Sequence, residues 1–502
     1  MSELGFLREK YNVELHHEQA AAELFNKASR LYTDKPCPAL VYPQPLCNNN
    51  LRDDAPAPPQ AQGKIRVGKI PQSPSPRTIQ SNMRIADIGS LVRTEEISWM
   101  DILSQARQEA LSGGCFEQAF DRDILKKVSC DLNSTCIGVP FGISKAVLIK
   151  DEASNGGSYL DADAIQALTH QGAIPIGYIK SDALGFEKDR SAEAVAKGLQ
   201  FALSVDNCGN TLANAARNGV SAIRATYGLC SRMGLLCRAP SMQQISITAR
   251  DIHDITTVLT CLMKSKHNDA TSYSTLLADW YEQISTLDIS NRTVAIVRNG
   301  LDMRLFPCAS LATIKAAELL GMLGARVVEI ELPLPDEALA STVIAGESRI
   351  EDILRSVSGS GSENAQICGL MAENADQAMT EIVLRHLLLR DRIVLENARS
   401  KRGELINDLE KTLGDISVFI CPTVMDDGTP SKVLNLLSLA GICALTVPCG
   451  QTSSGKSLGL LIAGRQFSEA DLLGIGKLYQ KTNFKLKEKV IRGRRSKNAP
   501  GT

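Results

Sequence analysis

The chain has 502 residues, 44% of them hydrophobic and 22% charged, with a formal net charge of −1. That balance is ordinary for a globular protein of one large or several smaller domains, and it excludes a global field for nucleic acid or an anionic membrane. Aromatic residues at 4% speak against a base-stacking surface, and fourteen scattered cysteines without a C-x-x-C pair, with six histidines placed away from them, imply a reduced compartment and no metal site.

Residues 1–33 read as one amphipathic helix, with Leu4, Leu7, Tyr11, Leu15, Ala22 and Phe25 near helical spacing. Residues 34–90 read as a linker, because their Pro, Asn, Ser and Gln cannot bury a core. The N-terminus carries acids and lacks an apolar core, so it fits neither a secretory signal nor a transit peptide. No run approaches about 18 apolar residues, so no membrane span is expected. The expected location is the cytoplasm, with the mitochondrion as the alternative.

A main domain is expected over 91–484. EEISWMDILSQARQEALSG predicts a helix with Ile97, Ile102 and Ala106 on one face, and IGVPFGI a short strand. YLDADAIQALTHQGAIPIGYIK gives a helix, Gly172 and a strand over 173–178, the alternation of an α/β protein. Ser246–Ala249 precedes another helix, and RTVAIVRNG is a strand. SLATIKAAELLGMLGARVVEIELP predicts helix, Gly324 and strand. Residues 356–366 read as a loop and 377–413 as a long charged helix. VFICPTV, ICALTVPCG and KSLGLLIAG are strands, SEADLLGIGKLYQKT is the last helix, and a basic frayed tail is expected over 485–502. Contact of that tail with RNA is a weak alternative to a solvated charge run.

The stretch from Gly198 to Leu235 is the most informative. An apolar run ends in Ser204, Asp206, Asn207, Cys208, Gly209, Asn210 and Thr211, then an Ala-rich helical run follows, and a Gly-punctuated strand closes it. Small residues let backbone N–H groups approach a ligand, so strand, tight loop and helix read either as an acyl or phosphoryl site or as a close-packed core turn. Gly450–Ser457 matches the phosphate-loop pattern G-x-x-x-x-G-K-S letter for letter. A phosphate loop must open a helix; the LGLLIAG that follows reads as a strand, so a hairpin is expected instead.

Several segments in fixed order resemble the amidase signature family, over Ile137 to Thr482. ATYGLCSRMGLLCRAPSMQQISITARDIHD (225–254) is similar to its T-Y-G-x-x-S-R-x-G-L and the S-L-D-Q segment after it. CPT at Cys421–Thr423, LAGICALTVPCG at Leu439–Gly450 and LGLLIAG at Leu458–Gly464 follow its C-terminal motifs. The resemblance implies an α/β fold, a mixed β-sheet core covered by helices on both faces, with no cofactor. It also implies amide cleavage by a Ser–Ser–Lys triad, in which a relayed serine attacks a carbonyl stabilised by backbone donors.

The departures cluster where that chemistry lies. Asn210 stands in place of the attacking serine, with Thr211 beside it and Cys208 two before; Leu212 replaces an arginine. The loop that carries the bridging serine is missing, so that serine is deleted or stands opposite Glu187, with Ser191 as the nearest hydroxyl. The lysine position falls on Ser144 by count from Gly138-Val139-Pro140, with Lys145 next, or on Lys150 by its local I-K-D context. Asp206, Asn207, Cys208, Gly209 and Thr211 make the expected binding loop. Groups of a triad act as a unit, so their joint loss implies a family member with impaired catalysis. It would serve as a scaffold or partner subunit of an amidotransferase-like complex, touching tRNA only indirectly. The alternative is an active glutamine-dependent subunit releasing ammonia for tRNA transamidation, with Cys208 or Thr211 attacking.

Overall fold

The computed structural model describes residues 83–120, 131–149, 161–181, 189–235, 239–263, 286–347 and 392–497, with a few positions between them. The expected helix over 1–33, most of the linker, the 356–366 loop and the start of the long charged helix lie outside these residues. The first described helix, α1 (Ile85–Arg93), starts inside the stretch read as linker. Its Ile85, Ile88 and Val92 repeat at helical spacing and are buried with Gly89, each large side chain contributing about 1.5–3 kcal/mol. Helix α2 (Trp99–Ser112) follows, then β1 (Phe116–Ala119), a strand that the sequence pattern does not announce.

The next elements are β2 (Pro140–Ser144), α3 (Asp163–His170), β3 (Ile174–Ile179), α4 (Ser191–Ala196), β4 (Phe201–Asp206), α5 (Asn210–Asn218), β5 (Ser221–Arg224), β6 (Gln244–Ala249) and α6 (Ile252–Met263). After these come β7 (Thr293–Val297), α7 (Pro307–Met322), β8 (Arg326–Ile330), α8 (Glu337–Glu347), α9 (Arg392–Leu413), β9 (Val418–Pro422), α10 (Val433–Ala440), β10 (Ala444–Gln451), β11 (Ser457–Gly464) and α11 (Glu469–Lys497). The eleven strands form one mixed sheet in the order β1-β3-β2-β4-β6-β5-β10-β11-β9-β7-β8. Strands β3, β2 and β4 run parallel, as do β9, β7 and β8, while the centre is antiparallel.

Helices cover both faces of the centre, because neighbouring strand residues point to opposite sides. A Cβ added at Gly459 would lie 2.5 Å from Ala216 of α5 and 2.7 Å from Thr446 Oγ1. One added at Gly476 of α11 would lie 2.6 Å from Leu445 Cδ2 and 3.0 Å from Ile252 of α6. Thr446 therefore faces α5, and Leu445 faces α6 and α11.

Two element boundaries differ from expectation. Helix α5 stops at Gly219, which takes the left-handed conformation (φ +68°) that favours glycine. SAIR beyond it becomes β5, and the Gly-punctuated strand expected to close the stretch is turn and loop instead. The last helix continues to Lys497, through most of the stretch read as a frayed tail. The phosphate-loop look-alike is a hairpin: β10 and β11 pair antiparallel to Gln451↔Ser457, and Thr452 N donates to Lys456 O at 2.8 Å.

Candidate functional site

Strand β2 lies between β3 and β4, so the chain passes to one side of β2 through α3 and to the other through α4. The carboxyl ends of β2 and β4 thus flank a topological switch point, the place where open parallel sheets hold ligands. Ser144 is the last residue of β2 and Asp206 the last of β4. Ser144, one of the two candidates for the lysine position, and the expected binding loop therefore lie at one end of adjacent strands.

Asp206 organises the loop. Its Oδ2 accepts Gly209 N at 3.0 Å, and its Oδ1 accepts Thr211 N at 3.0 Å. Arg224 of β5 donates from Nε to Oδ2 at 3.0 Å, and both side chains are fully buried. The guanidinium also donates to Met242 O (2.6 Å) and Leu437 O (3.3 Å). Burial pushes the Asp206 carboxyl up, while Arg224 and the Thr211 and Gly209 N–H groups pull it back. Leu212 is fully buried, so the cation on this loop comes from the sheet and not from the position after Thr211.

The loop backbone is tightly bent. Gly209 has φ +77°, and a Cβ there would lie 2.6 Å from Leu434 Cβ of α10. Cys208 holds φ +52° without being glycine and is half-buried, and Asn207 is buried. Asn210 begins α5, partly exposed, and its N–H donates to Asn207 O at 3.0 Å. The N–H groups of Gly209, Asn210 and Thr211 are thus engaged within the loop, and the buried Thr211 hydroxyl also bonds the Asp206 carboxylate.

A second polar group lies at the end of β2. Ser144 is fully buried, and its Oγ accepts Ala146 N at 3.4 Å. Ser204 of β4 donates to Ser191 Oγ at 2.9 Å, and Ser191 N donates to Asp189 Oδ1 at 2.6 Å. Burial raises the Asp189 carboxyl, and the hydroxyls of Ser191, Ser204 and Ser144 lower it. Asn214 of α5 donates to the Asp189 carbonyl at 3.4 Å. A carboxyl ringed by serines therefore stands here. Lys145, beside Ser144, pairs with Glu117 of β1 at 2.5 Å and is part-exposed. Lys150 and Glu187 lie outside the described residues. Sequence reasoning does not single out Asp189 or Arg224; the only signal for Arg224 is a charge inside the apolar VSAIRA run. Among the described residues, no cluster of His, Cys, Asp or Glu could hold a metal ion, and no helix is long and apolar enough to cross a membrane.

The mixed eleven-stranded sheet, with its strand–loop–helix junction at β4–α5, defines an α/β protein of the amidase type. The family model described as Amidase matches residues 191–473, and the chain belongs to that family. A glutamyl-tRNA(Gln) amidotransferase subunit of Lysinibacillus sphaericus (strain C3-41) is 26% identical over 80% of this chain and 94% of its own length. The same-named protein of Enterococcus faecalis (strain ATCC 700802 / V583) is 26% identical over 71% of this chain and 85% of its own. The solved peptide amidase of Stenotrophomonas maltophilia shares the fold with a TM-score of 0.68 and 20% identity, covering 80% of this chain and 97% of that one.

Proposed function

We propose that this is a member of the amidase family that does not hydrolyse amides through a serine relay and acts as a scaffold or partner subunit of an amidotransferase-like complex. The observation that carries the reading is Asn210 at the first position of α5. A carboxamide has no hydroxyl to deprotonate and cannot serve as the attacking oxygen. Two further features support it. The loop N–H groups that could hold an oxyanion are engaged by Asp206 and Asn207, and Ser144, at the position counted for the lysine, is a buried hydroxyl beside a carboxyl. The two curated relatives are named as subunits of an amidotransferase, which favours a role defined by what the protein binds.

A second reading has its own observation. Cys208 is half-buried in a left-handed backbone conformation, one residue from the loop glycine. Residues held there cluster at functional sites, and a thiol is a competent nucleophile. On that reading Cys208 attacks glutamine and the protein releases ammonia for transamidation. Affinity capture of the full chain from its source cells, with glutaminase assay of the captured material, separates the two. The scaffold reading expects a stoichiometric protein partner and no glutaminase activity from this chain alone. Activity that follows the purified chain and disappears in Cys208→Ala supports the second reading and rejects the first.

A further inference from the structure

The Sγ atoms of Cys136 and Cys261 lie 3.7 Å apart in the core. Cys136 sits in the segment leading into β2, and Cys261 in the last turn of α6. They are 125 residues apart in the chain. We propose that Cys136 and Cys261 form a dithiol that a peroxide converts to a disulfide, stapling α6 to the lead-in of β2.

The surroundings fit a pair that is reduced at rest and closes when oxidised. Cys136 is fully buried and Cys261 is 5% exposed. The hydrogen bond to Cys261 and burial both push the Cys136 thiol well up, so the resting pair is protonated and reacts slowly. Closing it needs the sulfurs to approach from contact to bonding distance, about 2.05 Å. The segment carrying Cys136 lies near the surface. Leu132, four residues earlier, is 55% exposed. That segment is held by Arg93 of α1, which donates to Leu132 O and Ser134 O, and by Cys136 N donating to Gln171 O at 2.9 Å. Opening of these hydrogen bonds would admit a small oxidant and supply the sulfur movement.

The chemistry balances. When the segment opens, the Cys261 thiol gives its proton to water, the resulting thiolate attacks one oxygen of hydrogen peroxide, the O–O bond breaks, the departing hydroxide takes that proton back as water, and a sulfenic acid forms. Cys136 attacks that sulfur, the S–O bond breaks, and a second water departs with the Cys136 proton. Two thiols and one peroxide thus become one disulfide and two waters. Sulfur is oxidised and the peroxide oxygens are reduced. Both sulfurs are sheltered, so external thiols re-reduce the disulfide slowly.

The test uses the full chain, reduced, freed of reductant, exposed to hydrogen peroxide, and alkylated under native conditions. The expected result is loss of two hydrogens from the intact mass and, in a non-reducing digest, a peptide pair joined through Cys136 and Cys261. A rise in melting temperature reversed by dithiothreitol should accompany it, since the cross-link closes a long loop. Cys136→Ser and Cys261→Ser, each checked for a cooperative melt, should both abolish the mass loss. Because either serine could destabilise the core, the wild-type peptide map is the independent readout. An unchanged mass overturns the proposal, and so does a cross-link between other cysteines.

Discussion

Two polar, glycine-containing loops follow strands in this sheet, and they do opposite things. The β4–α5 loop, Asn207 to Gly209, opens a nine-residue helix and closes around a buried carboxylate bound to a buried arginine. The β10–β11 loop, which spells a phosphate-binding pattern, turns back into a strand, with Gly455 in open space at φ +84°. Letters alone favour the second loop as a ligand site. What separates the two is the element that follows, because only a helix start converges several N–H groups on one point. In the first loop those groups are in place, and the protein's own Asp206 takes two of them.

The largest way to break this contrast is Asp206→Ala. It strands the Arg224 guanidinium without its carboxylate in the core and should cost about 3–5 kcal/mol, read by urea unfolding. A loss near ~1 kcal/mol, the scale of an ordinary hydrogen bond, would mean that the pair does not organise the loop. Gly209→Ala comes next. It combines a left-handed backbone with a Cβ 2.6 Å from Leu434 and should cost about 2–4 kcal/mol from strain plus overpacking.

A third measurement asks whether the cation is what distinguishes Asp206 from another buried carboxylate at a helix start. Asp254 accepts Ile85 N of α1 at 3.1 Å and is raised by burial to about 7. The folded chain thus holds this proton to higher pH than the unfolded chain. Its contribution is full below pH ~4 and is lost as pH rises through 7, at up to about 1.4 kcal/mol per pH unit. Asp254→Asn should flatten that part of the stability–pH curve; an unchanged slope contradicts the assignment. The smallest effect is expected at Gly455→Ala, where only the left-handed strain acts, about 1 kcal/mol. Equal costs at Gly209 and Gly455 would remove the distinction between a packed site loop and an open turn.

How much of this is legible in the sequence varies by residue. VFICP and LGLLIAG read directly as β9 and β11, because apolar runs bounded by turn residues have few other uses. The junction of β4, loop and α5 is legible from Asp206 and Gly209, and the hairpin at 450–457 from the strand after it. Helix α1 escapes because the Pro-rich composition before it masks the Ile85, Ile88 and Val92 spacing. Arg224 and Asp189 cannot be assigned from sequence. Their partners, Asp206 18 residues away and the hydroxyls of Ser144 and Ser204 on two different strands, meet only through strand pairing. The expected attacking position is read from the family pattern alone, and the residue it falls on, Asn210, stands at the first turn of α5.

The proposed absence of serine-relay hydrolysis is tested most directly by ammonia release from glutamine, asparagine and simple amides by the purified full chain, with Asn210→Ser and Cys208→Ala assayed beside it. No release above the protein-free rate is expected for the wild type, and none for Cys208→Ala. On the proposed reading, in which Ser144 holds the lysine position, restoring the hydroxyl in Asn210→Ser should also leave turnover undetectable, because a buried serine beside a carboxyl cannot replace a lysine relay. Wild-type turnover that vanishes in Cys208→Ala would contradict the proposed function.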